Sequence, residues 1–568
     1  MSRLILSLSS LAASLMLVAP LSAYAQSLPY GESGAAENSD APADEASEAE
    51  GSAKPHKSQR IKFTPYIEAG LVATAELSPG SNTSTYGVLA AGIDAAINGR
   101  NNQGSVSLRY ERRVGWGRDT SSGDTISGVA RISAAIVPQT LTIEAGALAA
   151  RSKVENNGAA VIGPLDLGSS VTQVYSVYAG PSLSTRIGDV AVNGGYRIGY
   201  TRVESPDAVA VAPGQTPLDV FDDSIVHSAS IHAGTRPGEL LPVGIGVGAG
   251  YNREEISNLD QRVEDFHARA DVTVPLTSEI AVVGGVGWEK VEVSSRDALR
   301  DINGLPVVGS DGRLVTDQSA PRVLAYDTSG LIWDVGLIWR PSRRTAFEAH
   351  FGRRYGTSTY HGSFAYAPNA RSSLNISVYD SLSGFGGQLN TALAGLPTQF
   401  EAARNPLTGD INGCVVAQAQ GTCLSGALGS VRSSVFRSRG VMASYSVAIG
   451  RIQAGLGAGY DRRKFVGAPG TVLALANGVI DENIWASAYL SGKIDRSSKF
   501  STNVYANWYQ SGDALSGDVS AVGATAAYYR SLTDRLTATA AIGIDGINRE
   551  LLQDIWSASA LVGLRYSF

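Results

Sequence analysis

Residues 556–568 read WSASALVGLRYSF, and this final stretch decides the fold. Every second residue is small apolar, branched apolar or aromatic: Trp556, Ala558, Ala560, Val562, Leu564, Tyr566 and Phe568. The positions between them carry Ser557, Ser559, Gly563, Arg565 and Ser567, with Leu561 as the one large apolar exception. Successive side chains of a strand point to opposite faces, so this alternation predicts a strand with one apolar face. Its length suits a tilted strand that crosses a bilayer, which needs about 9–11 residues.

The same alternation recurs along the chain, for example in Asp189–Arg202, Phe266–Val274 and Leu331–Arg340. Strands of soluble sandwiches average only about 5–6 residues, and their polar faces meet bulk water. Here the strands are longer, the apolar faces are built from Ala, Val and Ile, and Tyr or Trp concentrate near the ends. Outward apolar bands bounded by aromatic residues are typical of membrane barrels.

The connections give an independent argument. Counting from Phe63, the sequence contains 22 strand candidates, and every second connection between them is short and rich in Pro, Gly, Asn, Asp and Ser. All the long connections fall on the other phase, near 153–169, 204–223, 294–325, 381–434 and 466–479. Short turns on one rim and long loops on the other are typical of outer-membrane barrels, whose short turns face the periplasm.

The predicted fold class is therefore all-β: a closed antiparallel transmembrane β-barrel of about 22 strands (20–24), spanning residues 61–568. An unpaired backbone group in hydrocarbon costs several kcal/mol, so only a sheet without free edges can cross. Charged residues are 17% of the chain, below the roughly 25% of soluble domains. No apolar run outside the N-terminus is long enough for a membrane helix, and the net charge of −6 argues against nucleic acid.

The first 60 residues are predicted to lie outside the barrel. Arg3, the apolar run from Leu4 to Leu17 and the site Ala23-Tyr24-Ala25 predict a signal peptide, residues 1–25, that is removed on export. Residues 26–60 hold seven acidic and three basic residues but almost no large apolar ones. Such a segment cannot bury enough surface to fold, so we expect a disordered acidic periplasmic linker.

The chain resembles Gram-negative outer-membrane β-barrels, as an architecture, over about 500 of its 568 residues. The carried-over motif is the ending Tyr566-Ser567-Phe568, which implies an assembly signal read by the barrel-assembly machinery through Tyr566 and Phe568. Within the class the chain is similar to large alphaproteobacterial barrels sometimes labelled as the preprotein translocase accessory subunit, a one-helix protein that nothing here matches. It departs from TonB-dependent transporters, since about 35 residues before the first strand leave no room for their folded plug domain.

Inward positions collect charged residues, with Arg dominating the cations. The predicted lumen-facing set is Glu68, Asp94, Arg109, Glu111, Arg113, Arg131, Arg197, Arg269 and Asp271, with Glu144, His267, Asp334 and Glu348 beside it. One interpretation is a transverse field of Arg against carboxylate that filters solutes by charge. The other is that these pairs brace the wall, as guanidinium–carboxylate pairs do in partly desolvated space.

The connection 381–434 is the most informative loop. Leu389, Leu393, Leu396 and Phe400 have a helix-like spacing, and a loop of some 50 residues usually has a function. It is predicted either to fold into the barrel mouth as a constriction or to stay exposed at the surface. Cys414 and Cys423 lie within it, and an oxidising compartment predicts a disulfide that contributes about 2–3 kcal/mol.

No serine-centred elbow, metal motif or phosphate loop accompanies the six histidines, so the sequence favours no catalytic residues, no metal and no cofactor. A hydrolase assembled by the fold at the rim stays a minor alternative. The predicted function is a porin-like channel for passive or weakly selective diffusion of small hydrophilic solutes. The alternative is a non-conducting surface or envelope scaffold with a loop-filled lumen. Outer-membrane lipid is an expected partner, and nucleic acid is not.

Overall fold

The computed structural model describes residues 60–116, 123–155, 157–162, 171–205, 219–416, 421–513 and 516–568. The predicted signal peptide, 1–25, lies outside the described residues, as does the predicted linker 26–60 except for Arg60. The described part of the chain therefore corresponds to the predicted barrel region, with short gaps.

Strands account for most of the described chain. The wall strands are β1 (Arg60–Ser78), β2 (Thr83–Asn98), β3 (Asn102–Trp116), β4 (Gly123–Val137), β5 (Leu141–Val154), β7 (Val171–Ile187), β8 (Val190–Glu204), β9 (Asp223–Thr235), β10 (Gly244–Ile256), β11 (Gln261–Pro275), β12 (Ile280–Ser295), β13 (Val323–Ser342), β14 (Thr345–Arg354), β15 (Thr357–Asn369), β16 (Ser372–Ser383), β20 (Phe436–Ile449), β21 (Ile452–Phe465), β22 (Ile480–Lys493), β23 (Ser498–Gln510), β24 (Val519–Ser531), β25 (Leu536–Arg549) and β26 (Ile555–Ser567).

Short elements occupy the connections. They are β6 (Ala160–Ile162), β17 (Glu401–Arg404), β18 (Ile411–Val416), β19 (Gly421–Cys423), the helix α1 (Phe385–Ala394) and the 3-10 turns Asn258–Asp260 and Val472–Leu475. No helix among the described residues is long and apolar enough to cross a membrane.

The sheet closes on itself. Each wall strand pairs antiparallel with its neighbours, and β1 pairs with β2 on one side and with β26 on the other, in a register that places Tyr66 opposite Ser567. The short strand β6 pairs only with the last residues of β5, from Ser152 to Val154, and is not part of the ring. The ring formed by the described residues contains 22 strands. The predicted closed antiparallel barrel of about 22 strands is confirmed.

The two rims of the barrel differ. On one, which we call the short-turn rim, the longest connection is 236–243. The opposite loop rim carries the five longest connections: 155–170, 205–222, 296–322, 384–435 and 466–479. Both chain ends of the wall, Arg60 and Ser567, lie on the short-turn rim. In barrels of this architecture the short turns face the periplasm.

Apolar and polar side chains alternate along each strand, and the pairing of the strands keeps the apolar ones on the same side of the sheet. The outer face of the barrel is therefore apolar and the inner face polar. Large apolar side chains more than half exposed stand on the outside: Leu89, Val247, Leu331, Leu456, Ile542 and Val562. A continuous apolar exterior of this kind is stable only in lipid.

At the chain end, the backbone N–H of Phe568 donates to the carbonyl of Pro65 at 3.1 Å, and its ring packs on Tyr566.

Candidate functional site in the barrel lumen

The predicted inward charges of the first strands form a connected network. Arg109 on β3 is paired with Glu68 on β1 and, at 2.9 Å, with Glu111. Arg113 donates to the other oxygen of Glu111 at 2.7 Å. Across the seam, Arg565 on β26 lies 3.4 Å from Glu68. The carboxylates and guanidiniums of neighbouring strands thus satisfy one another along the wall.

The remaining predicted charges of this side also have partners. Asp94 accepts from Ser107 at 2.8 Å and from Arg565 at 2.9 Å. Arg131 on β4 pairs with Glu144 on β5 at 2.9 Å. The guanidinium of Arg197 lies 5.9 Å from the centre of the Tyr178 ring, a cation–π distance.

A second network lies on the wall formed by β9 to β15. The guanidinium of Arg269 holds both oxygens of Asp334 at 2.8 Å and Asp271 at 3.1 Å. His232 lies 3.3 Å from the same Asp271 oxygen. His350 contacts Asp334 at 2.8 Å through Nδ1. This network joins strands β9, β11, β13 and β14 across the lumen face.

The second network continues towards β15. His350 Nε2 lies 3.0 Å from Glu348, and its ring stacks on His361 with centroids 4.7 Å apart. Nearer the loop rim, Arg354 donates to Asp265 at 2.7 Å and lies 3.0 Å from His267 Nδ1. Among the described residues, no group of three or more His, Cys, Asp or Glu is arranged to hold a metal ion.

Glycines give these long side chains room to lie along the wall. A Cβ at Gly285 would stand 2.3 Å from the Arg269 guanidinium, and one at Gly246 would stand 2.7 Å from His232 Nε2. The glycines of the run 244–250 that face inward therefore permit close approach, as expected for glycine inside a strand.

The connection 384–435, which we call the plug loop, enters the lumen instead of staying on the surface. It begins with α1, which packs against β5, β7, β8 and β9. Apolar side chains of the plug loop join a buried cluster with inward residues of the wall: Phe385, Leu389, Leu393 and Leu396 with Val174, Val203, Val263 and Val291. Helix formation stops at Ala394, so only part of the predicted helix-like stretch is helical.

A single carboxylate anchors the start of α1. Glu254 on β10 is fully buried and accepts the backbone N–H groups of Gly384 at 2.7 Å and Gly387 at 2.9 Å. These are donors that a helix N-terminus leaves without internal partners, and negative charge is favourable there. A Cβ at Gly387 would stand 2.4 Å from a Glu254 oxygen, so glycine is needed for the backbone to approach the carboxylate.

The middle of α1 is held by hydroxyl groups of the wall. The amide of Asn390 donates to Thr201 on β8 at 2.8 Å and to Ser176 on β7 at 3.2 Å. The two hydroxyls lie 2.9 Å apart. A Cβ at Gly199 would stand 2.1 Å from the Asn390 side-chain oxygen, so the bare backbone at this position admits the helix.

Beyond α1 the plug loop descends to the level of the first residues of β3, which starts at the short-turn rim. The N–H of Phe400 donates to Ser105 at 3.0 Å. Arg404 donates to Ser107 at 3.0 Å and to Ser127 on β4 at 2.8 Å. The plug loop thus passes through most of the depth of the lumen.

The plug loop turns near Leu407 and Asp410, and this turn is buried against strands from the two ends of the barrel sequence. Leu407 packs with Ala527 and Ala541, on β24 and β25. Asp410 pairs with Arg151 of β5 at 2.5 Å, and both side chains are 2% exposed. Removing either partner of a pair this deeply buried is strongly destabilising, because the remaining charge would be buried without an opposite charge.

The returning limb is bound to the later strands. Arg463 on β21 donates to the carbonyls of Gly426 at 2.9 Å and Ser430 at 3.2 Å. Arg432 of the plug loop pairs with Asp481 on β22 at 2.9 Å. The loop is therefore attached to widely separated strands around the barrel.

The two cysteines lie in this limb. The pairing of β18 with β19 places Cys414 directly opposite Cys423, and Cys423 Sγ lies 3.8 Å from Ser487 Oγ on β22. Backbones opposed in this way suit a cross-strand disulfide, which stays a prediction.

At the loop rim a carboxylate connects the plug loop to three other connections. Asp219 accepts from Ser433 Oγ at 2.6 Å, from Asn258 at 3.2 Å and from the N–H of Leu314 at 3.1 Å. Burial raises the pKa of Asp219 above its ordinary value, although these three donors and Arg313 act in the opposite direction. The loops around the mouth therefore meet at one partly desolvated carboxyl group.

The inward charges were readable from the sequence, but the anchors of the plug loop were not. Glu254 lies on the inward face of β10 by simple alternation, so its direction was readable, although its partner was not. Arg151, Asp410, Asn390 and Arg404 carried no sequence signal beyond lying in or near the longest loop. These contacts join residues more than a hundred positions apart in sequence, and only the closed barrel brings them together.

A scan of protein-family models finds no match, and a search of curated proteins finds none either. Among solved structures, the chain is similar to the FrpB iron transporter from Neisseria meningitidis, with 11% identity, TM-score 0.40 and coverage of 89% of this chain and 82% of that one. It is also similar to the ferric-catecholate import receptor Fiu from E. coli K12, with 10% identity, TM-score 0.39 and coverage of 91% and 82%. A third is the copper transporter OprC, with 11% identity, TM-score 0.37 and coverage of 91% and 82%. At these identities and TM-scores no functional assignment follows.

Proposed function

We propose that this chain is an outer-membrane channel for small hydrophilic solutes, and that the plug loop narrows its lumen. The observation that carries the proposal is the path of the plug loop, which is fixed to β3, β4, β5, β7, β8, β10, β21 and β22 from inside the barrel. A loop in that position limits what passes through the lumen.

Two features support a channel that is narrowed but keeps an aqueous path. A ring of 22 strands spaced about 4.8 Å apart and tilted by about 40° has a diameter of about 44 Å between backbones, more than one loop of this length fills. On the wall of β9 to β15, polar side chains also stay accessible, with His232 35% and Glu348 14% exposed. A solute would move through the part of the lumen that these exposed polar groups face.

The second candidate is the scaffold: a barrel that conducts nothing because its loops fill it. The buried cluster joining the plug loop to Val174, Val203, Val263 and Val291 favours this reading, since a packed apolar core excludes water. The two candidates make opposite statements about conductance.

Planar-bilayer recording separates the candidates. The wild type is compared with a variant in which a short Gly-Ser linker replaces residues 386–433, and with a control in which the same linker replaces 301–305, an exposed turn of another connection. We expect small stepwise ohmic openings in the wild type and control, and openings several-fold larger in the plug-loop variant. Equal conductance in all three would refute the narrowing. Silence of the wild type and the control, with heat-modifiable migration showing a folded barrel, would refute the channel and support the scaffold, whether or not the plug-loop variant conducts.

A further inference from the structure

The short-turn rim divides into two halves of different charge. Five consecutive turns between β13 and β25, with the strand residues within three positions of them, carry ten basic residues: Arg340, Arg343, Arg344, Arg371, Arg451, Lys493, Arg496, Lys499, Arg530 and Arg535. All ten are exposed. The same turns hold two acidic residues, Asp495 and Asp534, so the formal charge of this half, which we call the basic arc, is +8.

The other half of the rim is neutral. Counted in the same way, the five turns between β2 and β12 and the strand ends beside them hold three basic residues, Arg100, Arg186 and Arg236, against three acidic ones, Asp189, Glu239 and Glu279. Arg186 is also paired with Glu239 at 3.0 Å. The two halves have the same number of strands and turns, so the excess of cations is a property of one side of the barrel.

The basic arc lies directly beside the lower edge of the apolar wall. Exposed apolar side chains adjoin its cations in the sequence: Trp339 precedes Arg340, Ile449 and Ile452 flank Arg451, and Ile494 follows Lys493. Tyr528 and Arg530 share the outward face of β24, the tyrosine 42% exposed. The arc is therefore placed at the boundary between hydrocarbon and water, where lipid headgroups lie.

We propose that the basic arc binds the phosphate groups of anionic phospholipids in the adjoining leaflet of the membrane. Guanidinium groups match phosphate in geometry, and clusters of Lys and Arg at a membrane surface attract anionic lipid. A soluble polyanion would not require the cations to adjoin the apolar wall, and this adjacency favours lipid. The annular lipid is then asymmetric: anionic lipid is retained along β13 to β25 and not along β2 to β12. The proposal requires insertion in a bilayer but not conduction.

Native mass spectrometry of the full chain in detergent tests this asymmetry. The protein is titrated with phosphatidylglycerol or with phosphatidylethanolamine of the same acyl chains. The variant R371Q/R451Q/R496Q removes three cations from three turns of the basic arc, and R100Q/R186Q/R236Q removes three from three turns of the neutral half. We expect the wild type and the neutral-half variant to retain phosphatidylglycerol in preference, and the basic-arc variant to lose that preference by about tenfold. Lysine in place of the three arginines of the arc should preserve it.

Two results would overturn the proposal. Equal retention of phosphatidylglycerol by both triple variants would show that the arc does not select lipid. Competition by inorganic pyrophosphate at the same concentration as lipid would show that the arc binds soluble polyanions, with the membrane irrelevant. All six substituted residues are exposed, and heat-modifiable migration checks that each variant keeps its barrel.

Discussion

The lumen has two kinds of wall, which differ in how their inward side chains contact the plug loop. On β3, β4, β7 and β8 the inward side chains include short hydroxyls that accept hydrogen bonds from the plug loop: Ser105, Ser127, Ser176 and Thr201. On β11, β13 and β14 the charged inward side chains Arg269, Asp271, Asp334 and His350 bind one another. Nearer the loop rim, the apolar Val263 on β11 and Val291 on β12 pack with the plug loop. The hydroxyls of the first wall leave hydrogen-bonding capacity for the plug loop, whereas the charged groups of the second wall, on β11 to β14, satisfy one another.

Glycine shows the same difference. Bare backbone at Gly199 on the first wall admits Asn390 of the plug loop, while bare backbone at Gly285 on the second admits Arg269 of the adjacent strand. Glycine therefore allows the plug loop to dock at Gly199 and allows neighbouring strands to be braced by an ion pair at Gly285. The role depends on which side chain packs against it. The comparison predicts that substituting wall residues that bind the plug loop releases it, and that substituting residues of the charged network on β11 to β14 does not.

The largest effect is expected at the buried pair of Asp410 and Arg151. Asp410→Ala leaves the Arg151 guanidinium, 2% exposed, without its carboxylate, which should weaken docking by about 3–5 kcal/mol. Hydrogen exchange of plug-loop amides, followed by mass spectrometry, should accelerate by at least about a hundredfold. The double variant D410A/R151M removes both charges and should recover most of the protection. Unchanged exchange in D410A would show that this pair does not hold the loop.

A smaller release is expected from Glu254→Gln. The substitution replaces one of the two carboxyl oxygens that accept N–H groups at the start of α1 with an amide donor, and a buried donor left without a partner costs about 1–3 kcal/mol. Exchange over 384–394 should accelerate by about ten- to a hundredfold. The matched control is Glu255→Gln on the next residue, a half-exposed side chain paired with Arg253. Equal acceleration in both variants would contradict a specific anchor at Glu254.

The fold could be predicted from the sequence because alternation and turn phase are local signals. The strand of residues 556–568 and the five long connections could be read directly, and the ring of 22 strands follows from them. The docking of the plug loop was not readable, since Asn390 meets Ser176 and Thr201 only after the ring closes. The strand register that brings Asp410 to Arg151 depends on the whole barrel, so the sequence left open whether the loop constricts the mouth or stays outside.

The two glycines test the comparison itself. Gly199→Ala places a methyl group 2.1 Å from the Asn390 side-chain oxygen, and overpacking of this kind costs about 1–3 kcal/mol. Gly285→Ala meets only the flexible end of Arg269, at 2.3 Å. We expect faster exchange of α1 amides in the first variant and no change in the second. Equal exchange of α1 amides in the two variants would remove the distinction between the first wall and the second wall.

The smallest effect is a pH dependence at the loop rim, where the plug loop leaves the lumen. The pKa of Asp219 is raised by burial, so the docked arrangement favours its neutral form. The stabilisation it contributes is fully present below its ordinary pKa of 3.8 and is lost as the pH rises through the raised value. Exchange near Ser433, corrected for the intrinsic pH dependence of amides, should therefore rise with pH over that interval and level off above it. Asp219→Asn cannot titrate, so its corrected profile should be flat. A rise of equal size in Asp219→Asn would assign the dependence to another group, and the contribution of Asp219 to holding the plug loop would then be independent of its charge.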